Sequence, residues 1–90
     1  KDVPSDLKRE DGTLKGVKDG GIVKEGGEEI WIKLPGDQGW RHHKKKNWTL
    51  EKDSLGSKSH GKGENNSTYK LKNGGDRVAT IGPNGKIVRN

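Results

Sequence analysis

The chain lacks cysteine, methionine and phenylalanine, and only 23% of its 90 residues are hydrophobic. Without cysteine there is no disulfide, no thiolate metal site and no thiol nucleophile, which excludes zinc ribbons, thiol proteases and redox motifs. No apolar run approaches the roughly 18 residues of a membrane-spanning helix. Ninety residues leave no room for a second domain. Aromatic rings are scarce too: Trp31, Trp40, Trp48 and Tyr69 are the full set, so they must supply much of the buried area. With 15 glycines and 36% charged residues the composition approaches that of disordered chains. The apolar residues nevertheless cluster and alternate, which predicts a folded domain with a thin core. The chain opens on Lys1 rather than methionine, as expected of a fragment of a longer protein, either a processed product or a C-terminal domain expressed alone.

What is abundant is positive charge, unevenly placed. Residues 1–30 hold six basic and eight acidic side chains; residues 31–90 hold thirteen and five, a net of +8. Such a field attracts polyanions, and nucleic acid is the commonest polyanion a small basic domain meets. No segment sustains a 3.6-residue apolar repeat, whereas short β-rich runs recur between Gly, Pro and Asn. They cover 21–25, 29–34, 46–52, 68–72, 77–81 and 86–89. Trp48 aligns with Leu50, and Tyr69 with Leu71, so each strand has one face to bury. Pro83, Asn84 and Gly85 form a turn in which Gly85 takes positive φ, making 77–81 and 86–89 a C-terminal hairpin. Ser5 is placed to cap a short helical turn through Glu10. The expected fold is mostly β: a small twisted antiparallel sheet, half a barrel, with at most a short N-terminal helix. It forms one domain, irregular over 1–28, with the sheet and an active-site loop over 29–90.

That loop, about sixteen residues from Lys52 to Ser67, is long enough to be functional or disordered. It holds His60 and Glu64, an imidazole and a carboxylate four residues apart among glycines. General acid/base cleavage of RNA needs such a pair: one group takes the 2′-hydroxyl proton as the oxygen attacks phosphorus, the other protonates the departing 5′-oxygen. Cations must neutralise the phosphoryl oxygens; Lys58, Lys62, Lys70, Arg77 and Arg89 are available. The stretch from Gly56 to Lys62 matches part of a phosphate-binding P-loop, but Gly63 replaces the required Ser/Thr and no amphipathic helix follows. A second cluster runs from Trp40 to Trp48 and contains Arg41, His42, His43, Lys44, Lys45 and Lys46. It reads as phosphate contact with Trp40 stacking on a base, Trp48 belonging to the core. In an extended chain His42 and His43 point to opposite faces, so only one would join a given site. A metal site built from either, His60 and a carboxylate has no recognisable ligand spacing.

Residues from Trp48 to Arg89 resemble the C-terminal ribonuclease domain of ribosome-cleaving colicins and cloacin, and related domains of contact-dependent bacterial toxins. Glu51 and Asp53 look like the family's acidic strand end, His60-Gly61 its His-Gly pair, Glu64 its glutamate and Tyr69 its tyrosine. The turns at Asn73-Gly74-Gly75 and Pro83-Asn84-Gly85 look like its two turns. Two spacings depart: Asp53 stands seven residues before His60 where the family has three, and Tyr69 five after Glu64 where it has two. The resemblance implies Glu64 as base, His60 as acid, Asp53 as the group orienting or charging the histidine, and Arg89 as a phosphate contact. It implies a cofactor-free, metal-independent endoribonuclease toxin acting on RNA, ribosomal or transfer RNA. Such a domain is exported within a larger protein, acts in the target cell's cytoplasm, and is held by an acidic immunity protein. The competing expectation is a non-catalytic nucleic-acid-binding β-barrel module that uses residues 41–46.

Overall fold

The computed structural model describes residues 2–53 and 68–89. Among these residues eight strands follow a single 3₁₀ turn, Ser5–Leu7: β1 Val17–Lys18, β2 Gly21–Ile22, β3 Trp31–Lys33, β4 Trp40–His42, β5 Trp48–Lys52, β6 Tyr69–Asn73, β7 Asp76–Ile81 and β8 Ile87–Arg89. The first two make a ribbon; the other six form one antiparallel sheet in sequence order, β3 to β8. The expected antiparallel, mostly β fold is what is observed, and the sheet is open, with β3 and β8 at its edges. A closed barrel is therefore not the scaffold of either functional reading.

Directly opposed residues share a face of a sheet, so the register sorts the side chains. Trp31 opposes His42, and Trp40 opposes Leu50, which opposes Leu71, which opposes Ala79. With Trp48, Tyr69 and Ile81 these define the inner face, and all but Trp40 are buried. The outer face carries Ile32, Arg41, Thr49, Glu51, Lys70, Lys72 and Thr80. Alternation in β5 and β6 puts Trp48, Leu50, Tyr69 and Leu71 inward, as their sequence spacing predicts. Strand β4 was not among the expected strands. Its inward residues are an indole and an imidazole rather than aliphatics, and its sequence reads as a charge run.

A sheet with one apolar face needs a cover, and the N-terminal third provides it. Val3, Leu7, Leu14 and Val17 are buried in the same cluster as the inner face. Ser5 does not cap the first turn: the cap position is Pro4, and no side chain bonds there. Instead the segment is tied down by long-range bonds. Trp31 Nε1 donates to Lys15 O (2.8 Å), and the Tyr69 hydroxyl donates to Gly20 O (3.0 Å). Glu25 Oε1 accepts from Arg9 Nε and from Gly16 N, both at 3.0 Å, and the Arg9 bond holds its carboxyl below the usual range.

The turn after β7 is the other anchor. Gly82 accepts from Gly85 N to close it, Leu14 N donates to Gly85 O (2.7 Å), and Gly20 N donates to Pro83 O (2.9 Å). Gly85 has φ of 85°, and a Cβ there would press on the Leu14 backbone and Arg9. Gly12 has a similar φ of 89° but open space around it. Gly85→Ala is expected to cost about 1–3 kcal/mol in urea unfolding, and measurably more than Gly12→Ala. Equal losses would show that the turn does not carry the N-terminal segment.

Candidate nucleic-acid interface

The site begins where β5 ends. Asp53 N donates to Thr68 O (2.9 Å) and the Thr68 hydroxyl donates to Asp53 O (3.1 Å). Both residues are buried. The Asp53 carboxylate is ion-paired with Arg77, Nη2 to Oδ2 at 2.9 Å, and the same nitrogen donates to the Thr80 hydroxyl at 2.7 Å. Thr80 in turn opposes Lys70 across β6 and β7.

Arg77 and Thr80 are three residues apart, so regular alternation would send them to opposite faces. A register shift in the β6–β7 ladder prevents this: Leu71 opposes Ala79 but Lys72 opposes Arg77. The one-residue bulge turns Arg77 onto the outer face beside Thr80 and Asp53. Two candidates assigned different roles in the sequence, a catalytic Asp53 and a phosphate-binding Arg77, are thus direct partners. Lys70 stands beside them. Arg41 is on the same face, half-buried, its Nη1 donating to His42 O at 3.4 Å. Lys72 adds a cation that no sequence motif marks, paired with Glu51 at 3.1 Å.

The other candidates lie elsewhere. His60, Lys62 and Glu64 fall outside the described residues. Arg89 ends β8 opposite Ala79. Trp40 is on the inner side of the sheet, edge-on to Tyr69 with ring centroids 5.6 Å apart. It therefore does not share a face with its neighbour Arg41. Tyr69 is only 2% exposed, a core residue whose phenol burial keeps protonated.

Lys44, Lys45 and Lys46 are exposed in the turn between β4 and β5, with the Lys45 ammonium 3.5 Å from Asp6. That turn is organised by His42. Its Nδ1 accepts from Lys44 N (3.1 Å) and Lys45 N (3.0 Å), which requires Nδ1 to be unprotonated. Trp31 packs edge-on against the ring at 5.2 Å. His43 does not point away: the two imidazoles lie 4.7 Å apart and line one cavity with Lys15, Lys44 and Lys45. The expectation that the pair would part fails because the backbone bends at His43, where β4 ends. Among the described residues no cluster of His, Asp and Glu has the geometry to hold a metal ion.

No family model, curated protein or solved structure matches the chain.

Burial, then the neighbouring His43, pushes the His42 imidazole below its ordinary value. The unfolded chain therefore takes up a proton first as pH falls through the unfolded value of 6.5. Stability should decline from pH 7 toward pH 5, down to the folded-state value and no further from this group. His42→Gln, whose amide oxygen still accepts but does not titrate, should flatten that part of a stability–pH curve. An unchanged slope would assign it to other groups.

Proposed function

We propose that the chain is a metal-independent endoribonuclease domain of a bacterial toxin. The observation that carries this reading is the Asp53–Arg77 pair. A carboxylate buried at the end of β5, in contact with a guanidinium, stands at the base of the segment that bears His60, Lys62 and Glu64. Lys70 and Arg41 on the same sheet face suit the phosphates of a strand approaching it. In this reading Glu64 takes the 2′-hydroxyl proton, His60 protonates the leaving 5′-oxygen, and Lys62 and Arg77 neutralise the phosphorane oxygens. Asp53 fixes the charge and position of its partners. The likeness to the colicin and cloacin domains, with its longer spacing between Asp53 and His60, supports the class and the roles. The same reading has the domain exported within a larger protein, acting in the target cell's cytoplasm, and neutralised in the producer by an acidic immunity protein steered by charge.

The outer face also suits a second reading, a module that binds RNA without cutting it, because Arg41, Lys70 and Lys72 need no catalyst beside them. One experiment separates the two. Purified protein incubated with total RNA, with and without chelator, should cleave in both cases. His60→Ala and Glu64→Ala should each cut the rate by about 10²–10⁴ while RNA affinity holds. Bound but intact RNA supports the module; an absence of binding at low salt overturns both. Lys70→Glu should weaken binding and lower its salt dependence.

A further inference from the structure

Trp40 faces a cavity on the inner side of the sheet, away from the Asp53–Arg77 patch. The cavity has a volume of about 290 Å³ and is lined by Trp40, Lys33, Asp37, Gly39 and Lys52. It is well made. Gly39 seats the β3–β4 turn directly against β5, where a Cβ would run into the Leu50 carbonyl oxygen. Leu34 N donates to Gly39 O (2.7 Å) and closes the turn that presents Asp37. Trp40 is half-buried, braced edge-on by Tyr69, so its ring is held without being enclosed.

The Lys33 ammonium lies 5.6 Å from the centre of the Trp40 ring and donates to Gly36 O at 3.0 Å. An indole under a cation, with a second lysine and one carboxylate on the same walls, has the parts of a nucleotide site. The ring offers a stacking surface, the two ammonium groups suit a phosphate, and the carboxylate offers only acceptors. The last point selects the base. Guanine presents adjacent donors, N1–H and the N2 amino group, whereas adenine and cytosine set a ring acceptor beside their amino group and uracil flanks N3–H with carbonyls.

We infer that this cavity is a guanine-nucleotide subsite, with the base stacked on Trp40, its N1–N2 edge on Asp37 and its phosphate between Lys33 and Lys52. The inference deepens the ribonuclease reading and rests on it for the origin of the base, a guanosine of the RNA. Lys52 immediately precedes Asp53 in the chain, and alternation along the strand sets the two side chains on opposite faces of the sheet.

The test is titration of the full chain with GMP, AMP, CMP, UMP and inorganic phosphate, followed through the three indole N–H signals by NMR. GMP should move the Trp40 signal and leave Trp31, already bonded to Lys15, little changed. Its affinity should exceed that of the other nucleotides about tenfold, the worth of one well-formed polar pair. Asp37→Ala should erase that preference but keep phosphate affinity, whereas Lys33→Ala with Lys52→Ala should weaken all four nucleotides alike. Asp37 is exposed in a turn, so its variant tests the idea without threatening the fold. No shift at Trp40 with millimolar GMP, or four equal affinities matching phosphate alone, overturns the subsite. Cleavage of RNA with no GMP binding removes the subsite and leaves the ribonuclease reading; GMP binding without cleavage does the reverse.

Discussion

Too little apolar surface is the constraint from which the rest of the architecture follows. Six strands offer one inner face, built on Trp31, Trp48, Leu50, Tyr69, Leu71, Ala79 and Ile81, and no helix exists among the described residues to cover it. The chain covers it with its own N-terminal third, which contributes the buried side chains of Val3, Leu7, Leu14, Val17 and Ile30. Burial of that size is modest, so polar ties to distant backbone do much of the fastening: Trp31 to Lys15, Tyr69 to Gly20, Glu25 to Arg9 and Gly16. Each of these bonds is part-buried, where an unmet donor or acceptor would cost free energy.

Using one face for the core leaves the other free to be polar, and the bulge in β6–β7 makes that freedom specific. An unbulged ladder would place Arg77 and Thr80 on opposite sides of β7. With one extra residue in β7 they share a side, and the guanidinium reaches Asp53. A local defect in pairing thus brings a residue from β7 to the carboxylate at the end of β5, two strands away in the sheet. Bulges recur beside functional sites for this reason: they re-aim a side chain without rebuilding the strand.

The sequence makes some of this legible. Period-two alternation correctly marks the buried sides of β5 and β6, and the Pro83-Asn84-Gly85 turn is identified from backbone chemistry alone. Those signals are local. Strand β4 is missed because its inward residues, Trp40 and His42, sit beside Arg41, Lys44, Lys45 and Lys46, though an aromatic at every second position was the available clue. The partnership of Asp53 and Arg77 is 24 residues long-range and depends on a bulge that no dipeptide announces. The ribbon of β1 and β2 is likewise set by docking onto the 82–85 turn, which sequence proximity does not encode.

His42 shows how the two faces and the basic turn are linked. Its ring belongs to the core, against Trp31, yet its Nδ1 holds the backbone of Lys44 and Lys45. A neutral imidazole is the only ordinary side chain that combines an aromatic body of this size with an acceptor on its edge. Phenylalanine would fill the space and leave two amides without their acceptor; asparagine would accept but forfeit the contact with Trp31. Desolvation that disfavours the charged ring is therefore what keeps Nδ1 free to accept from the turn. Core packing and presentation of positive charge are coupled through one nitrogen atom, so a change to the Trp31 contact should be felt first at Lys44 and Lys45 rather than at the distant Asp53–Arg77 pair.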